Sequence, residues 1–246
     1  MSRAKLAFIF VASSLAAFGS TIVVPNANTN VVGNDTDTTE TGPSFDFRAQ
    51  MLLGAGQFSS VGGPILIDQL SLRAVPGTGP NDFSMTLLNL YLSTSPKFPN
   101  TSGPLMSTTF ADNVGPDNTL VFSGLVTAAS PGCPQIQPVC PFDININFTT
   151  PFLYNPTQGR LLLDLKVTGY SGVDGVGDAV SFSGPNGGSV ASVFGGLNDT
   201  TGGFDFSGDI VQLRYTAVPE PVSGALALTG AAALALMRRS RSARAL

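Results

Sequence analysis

A chain of 246 residues with 11% charged residues, 28 glycines and 18 prolines can form one domain with a substantial core. Its composition suits short strands joined by many turns. The internal cations Arg48, Arg73, Lys97, Arg160, Lys166 and Arg214 face 16 acids spread between Asp35 and Glu220, so the body repels phosphate backbones and nucleic acid is excluded as a partner. No histidine is present, which excludes Ser-His-Asp and Cys-His catalysis and every His-ligated metal site.

Residues 1–20 read "MSRAKLAFIFVASSLAAFGS". A short basic start, an apolar run from Leu6 to Phe18 and a small-residue finish are the layout of a secretory signal peptide for the Sec machinery, with cleavage after Gly19. Residues 26–44 carry no sustained apolar pattern and are expected to form a polar lead-in loop. Strands are expected at 45–53, 64–74, 84–93, 119–127, 142–150, 160–168, 189–194 and 209–217. The two-residue period is clearest in three of them. Phe142, Ile144, Ile146 and Phe148 share one face. Leu161, Leu163, Leu165 and Val167 point inward, with Asp164 and Lys166 outward. Val211, Leu213, Tyr215 and Ala217 alternate with polar residues. The Gly-rich stretch 169–178 is expected to be a loop. Many strands without intervening helical patterns predict an all-β ectodomain over 20–217, a β-sandwich or jelly-roll-like fold.

Cys133 and Cys140 enclose "PQIQPV". In an exported chain they are expected to form a disulfide that clamps a proline-stiffened loop. A zinc site would need further ligands from carboxylates, and the spacing is not the Cys-x-x-Cys of redox catalysts.

The chain closes on "VPEPVSGALALTGAAALALMRRSRSARAL", residues 218–246. Val222–Met237 is uncharged, and as a helix it would be about 24 Å long, enough for a transmembrane helix whose flanks make up the remaining thickness. Arg238, Arg239 and Arg241 follow as a stop-transfer cluster that stays in the cytoplasm. With both ends basic, the acidic body is expected across the membrane from them.

Pro219, Glu220 and Pro221, the apolar helix and the Arg-rich end together resemble the PEP-CTERM sorting signal. The resemblance implies an exported protein of a Gram-negative bacterium. It also implies an exosortase-type membrane protease that recognises the signal and removes the helix, and an association with exopolysaccharide. The stretches "TIVVPNA", "FADNVGPDNTLVFSG" and "TPFLYNPTQGRLLLDL" resemble ectodomains that carry this signal, which implies a shared fold more than a function.

Catalytic signatures are scarce. "GAGQFS" (54–59) does not match the dinucleotide pattern. Paired carboxylates for a glycosidase are not singled out by 16 acids, because Asp favours turns on its own account. Segments 34–40, 174–178 and 204–209 place carboxylates where calcium could bind, without EF-hand spacing. Sugar stacking would fall to Tyr91, Tyr154, Tyr170 and Tyr215, since there is no Trp. The expected protein is therefore no enzyme and has no resident metal or cofactor. It is a structural or adhesive protein, transiently held in the inner membrane and then delivered to the cell surface or extracellular matrix. A glycan-binding module, with or without calcium, and a carboxylate-dependent glycosidase stay open as alternatives.

Overall fold

The computed structural model describes residues 19–38, 45–79, 81–100, 103–133, 136–173, 176–181, 188–205 and 207–218. The expected signal peptide up to Phe18 and the sorting signal from Pro219 onward lie outside the described residues. The described chain is all-β. In order the strands are β1 (Ser20–Val24), β2 (Asp35–Thr38), β3 (Phe45–Leu53), β4 (Ile65–Leu72), β5 (Asn81–Ser95), β6 (Thr119–Ser130) and β7 (Ile144–Tyr154). They continue with β8 (Arg160–Val173), β9 (Val176–Ser181), β10 (Val190–Gly196), β11 (Gly203–Asp205), β12 (Ser207–Asp209) and β13 (Val211–Ala217). Short 3-10 turns occupy Asn26–Asn28, Ala55–Phe58 and Phe110–Asn113. Among the described residues no helix is long and apolar enough to cross a membrane.

Three antiparallel sheets result: a four-stranded sheet in the order β1-β13-β4-β7, a six-stranded sheet β11-β10-β3-β8-β5-β6, and a three-stranded sheet β12-β9-β2. The two larger sheets share one apolar core. Ile22, Val24, Ile65, Ile67, Leu70, Ile146, Val211 and Leu213 come from the first. Met51, Leu53, Leu88, Leu90, Leu92, Leu161, Leu163 and Val167 come from the second. These are the positions of the two-residue period, buried because each sheet offers one face to the other. At one corner β6 and β7 meet, where Thr149 Oγ1 donates to Val121 O at 3.0 Å.

Strand β8 departs from the simple alternation. Leu162 is fully buried and Asp164 is 3% exposed, although they point away from the main core. The expectation that Asp164 faces solvent is therefore corrected. The segment between β5 and β6 crosses the outer face of the six-stranded sheet and seats Met106 and Phe110 on Leu52, Leu162, Ala191 and Val193. Beneath it Arg48 Nε and Nη2 donate to Asp164 at 2.9 and 2.6 Å. Gln50 Nε2 reaches the same carboxylate at 3.1 Å, and Asn113 donates to Gln50 at 2.8 Å. Arg48, Gln50, Asn113 and Asp164 thus all find partners, as burial requires.

The three-stranded sheet corrects two further expectations. The lead-in loop contains β2, and the Gly-rich stretch runs through the end of β8 into β9. Asp35 and Asp209 lie on either side of Ala179 in register. This small sheet ties the end of β4 to β10. Asp178 N donates to Arg73 O and Ile210 N to Asp178 O, and a Cβ added to Gly208 would meet Val190 Cγ1 at 2.5 Å.

Candidate functional site

Three places carry chemistry: the end of the four-stranded sheet where the chain enters and leaves, a small cleft at the end of the six-stranded sheet, and a buried ion pair.

Strand β1 pairs β13 antiparallel, with Ser20 opposite Tyr215. Beyond that register Ala217 pairs Ile65, Ile65 pairs Tyr154, and Val218 N donates to Pro64 O at 2.9 Å. The chain therefore enters at Gly19 and departs at Val218 from the same end of one sheet. That end exposes apolar side chains. Leu66 and Leu153 are cross-strand partners, and they are 36% and 57% exposed, with Val218 at 38%. The exposed Arg214–Asp68 pair, 2.7 Å, stands at the same end: a Cβ on Gly19 would meet Arg214 Cγ and Cδ at 3.4 Å. The expected signal-peptide junction after Gly19 and the expected sorting residues Pro219, Glu220 and Pro221 thus adjoin the ends of paired strands. Pro219 to Pro221 and the stop-transfer residues Arg238, Arg239 and Arg241 lie outside the described residues.

The cleft, about 290 Å³, opens at the end of the six-stranded sheet. Four segments line it: 54–57 after β3, 98–100 after β5, Arg160 at the head of β8, and 188–189 before β10. Antiparallel order brings these strand ends together, because β10, β3, β8 and β5 are successive neighbours. Backbones pass closely here. Gly188 holds φ +91°, and any Cβ on it would meet Asn100 Cβ at 2.7 Å, so only glycine fits. Gln57 bridges Asn26 N and Ser189 Oγ at 2.7 and 3.1 Å. Phe98 carries the Arg160 guanidinium over its ring, Cζ 3.1 Å from the centroid, while a Cβ on Gly103 would collide with the ring at 2.3 Å. The arginine is thereby held flat, as cation–π contacts favour.

Tyr154, next to this cleft, is fully buried and donates to Gly159 O at 3.0 Å. Burial raises its pKa well above 10.0; the Arg160 charge and the Leu161 backbone pull it down only in part. Of the other tyrosines considered for sugar stacking, Tyr170 is buried amid Phe45, Phe47 and Phe83. Tyr91 is half-buried with the Lys166 ammonium 5.2 Å from its ring centre. Tyr154 and Tyr170 therefore serve packing.

The buried pair is Arg73 and Asp178, Nε to Oδ2 2.7 Å, both almost wholly shielded. Gly33 N donates to Asp178 Oδ1 at 2.7 Å, and Arg73 Nη2 donates to Val31 O at 2.9 Å. Burial pushes the Asp178 carboxyl above its ordinary range; the Gly33 amide and Arg73 oppose this. Arg73 Nη1 is buried without a partner among the described residues, and the guanidinium lies over Phe142 at 4.9 Å. This pair stitches the small sheet to β4.

Cys133 and Cys140 form a disulfide with Cα atoms 5.7 Å apart. It packs on Ala74, and its loop is pinned by Gly77 N to Cys133 O and Cys133 N to Thr78 O. The segments weighed for calcium supply β2, β9 and β12. Among the described residues no three metal-ligating side chains come together, and Asp178 is already engaged by Arg73.

Sequence reasoning missed Arg160 and Phe98, which stand far apart in the chain, one at the head of β8 and the other after β5. The available signal was a cation heading an apolar strand directly after "YNPTQG". Comparison with protein families, curated proteins and solved structures finds no significant match for this chain.

Proposed function

We propose that the chain is an exported, non-catalytic envelope protein with a jelly-roll body, structural or adhesive in role and sorted through its C-terminal segment. The strand pairing supports the jelly-roll reading. β1 pairs β13, β3 pairs β8, β4 pairs β7 and β5 pairs β6, the nested order of one long antiparallel strip. Pairs β13–β4 and β5–β8 then roll that strip into two sheets.

One observation carries the cellular reading: Ser20 stands opposite Tyr215, and the chain leaves at Val218 from the same end of the sheet. A leader before Ser20 and an apolar helix over Val222–Met237 can therefore occupy one bilayer while the body stands on one side of it. Arg238, Arg239 and Arg241 then hold the tail in the cytoplasm, and Pro219–Pro221 sits where an exosortase-type protease would act. The Cys133–Cys140 disulfide suits the oxidising side.

The test is fractionation of the full chain beside a chain lacking Val222–Leu246, with intact mass of the recovered protein. Membrane association of the first only, a mass starting at Ser20 and a two-hydrogen deficit support the reading. Identical fractionation of both overturns it.

A further inference from the structure

We propose that the cleft at Arg160 binds an acidic sugar, a carboxylate carried on a hydroxylated ring. Charge selects the anion. Arg48, Arg73 and Arg214 each hold a carboxylate of this chain. The Arg160 guanidinium has no hydrogen-bonding or ion-pair partner among the described residues; it lies over the face of Phe98. Stacking fixes the plane of the guanidinium and leaves its N–H edge free for a bidentate carboxylate.

The cleft walls agree. Among the described residues no carboxylate lines it. Three of its carbonyls already accept a hydrogen bond: Gly54 O from Gln57 N, Ser189 O from Gly54 N, and Gly188 O from Asn100 Nδ2. Ser189 Oγ accepts from Gln57, so its own proton is available to donate. The guanidinium and the Ser189 hydroxyl are donors, and they suit a ligand rich in acceptors. The volume of about 290 Å³ admits one sugar ring, near the lower bound of ligand pockets. The cleft's chemistry is independent of where the chain is anchored.

The experiment titrates the full chain in detergent micelles with glucuronate, glucose and inorganic phosphate, reading heat and the amide resonances of isotope-labelled protein. Glucuronate is expected to bind at least tenfold more tightly than either of the others, with shifts centred on residues 54–57, 98–100 and 188–189. Arg160→Gln, checked for an unchanged melt, is expected to lose tenfold or more, and Ser189→Ala a few-fold. Absence of glucuronate binding, shifts confined to another surface, or phosphate binding as tightly as glucuronate would each overturn the proposal. So would undiminished binding by a folded Arg160→Gln chain.

Discussion

Ser20 and Tyr215 face each other across the β1–β13 ladder, so the first strand of the body is paired with the last. Strand β1 buries Ile22, Val23 and Val24, at about 1.5–3 kcal/mol for each side chain. A chain starting at Ser20 is expected to melt as a single cooperative unit. One starting at Asn26 loses those side chains and uncovers the β13 ladder, a deficit comparable with the whole stability of an ordinary domain, about 5–15 kcal/mol. Circular dichroism melts of the two chains check this; equal melting temperatures would contradict it.

The entry and exit end of the four-stranded sheet offers a reporter. The chain has no Trp, and Leu153 is 57% exposed, so Leu153→Trp adds a single indole at little cost. In the full chain inserted in vesicles, its emission is expected to shift blue and to be quenched by brominated lipid. A Trp at Leu125, 67% exposed on β6, should emit as in water. Equal quenching of both would mean that this end does not face the bilayer.

Replacing Cys133 and Cys140 together by Ser removes a short covalent loop. Chain entropy puts the loss at about 2–3 kcal/mol, read as a lowered denaturation midpoint in urea. Since Ala74 packs on the bridge, the β4–β9 junction should show the first loss of amide protection.

Arg73→Met leaves the Asp178 carboxylate buried beside Gly33 N. Breaking such a pair from one side costs about 3–5 kcal/mol. The Asp178 pKa lies above its unfolded value. The folded state therefore holds that proton more readily, and the contribution present below the unfolded pKa is lost as pH rises through the folded one. The variant's melting temperature is accordingly expected to climb towards wild type on mild acidification; a variant that loses stability faster than wild type on acidification would refute this.

Tyr154 sets a limit at the alkaline end. Its folded pKa is raised above the ordinary 10.0, so the contribution is intact below that pH and is lost as pH rises beyond it. Tyrosinate absorption should report Tyr154 ionising only with unfolding, the signal that Tyr154→Phe removes. Tyr154→Phe should flatten the alkaline fall of the melting temperature, at the cost of the hydrogen bond to Gly159 O.

Much of the fold was legible because its principal signal is local. Ile144 and Ile146, or Val211 and Leu213, announce a buried face by alternation alone, and those residues do lie in the core. Asp164 was misread because what covers it is remote in sequence: Phe110 and Asn113 arrive from the β5–β6 connection. Strands β2, β9 and β12 were invisible because each is short and rich in Asp, Gly, Ser or Thr, held by partners the pattern does not encode. The cleft is hidden for the same reason: Phe98 and Arg160 meet only after β5 and β8 have paired.

Strand β13 is an interior strand, hydrogen-bonded to β1 on one side and β4 on the other. Tension applied through the exit at Val218 runs along it and loads both ladders in shear, so many bonds must yield at once. Pulling Ser20 and Val218 apart would instead peel β1 from β13 one bond at a time. A body tethered by its C-terminal side alone is thus held in its mechanically stronger direction.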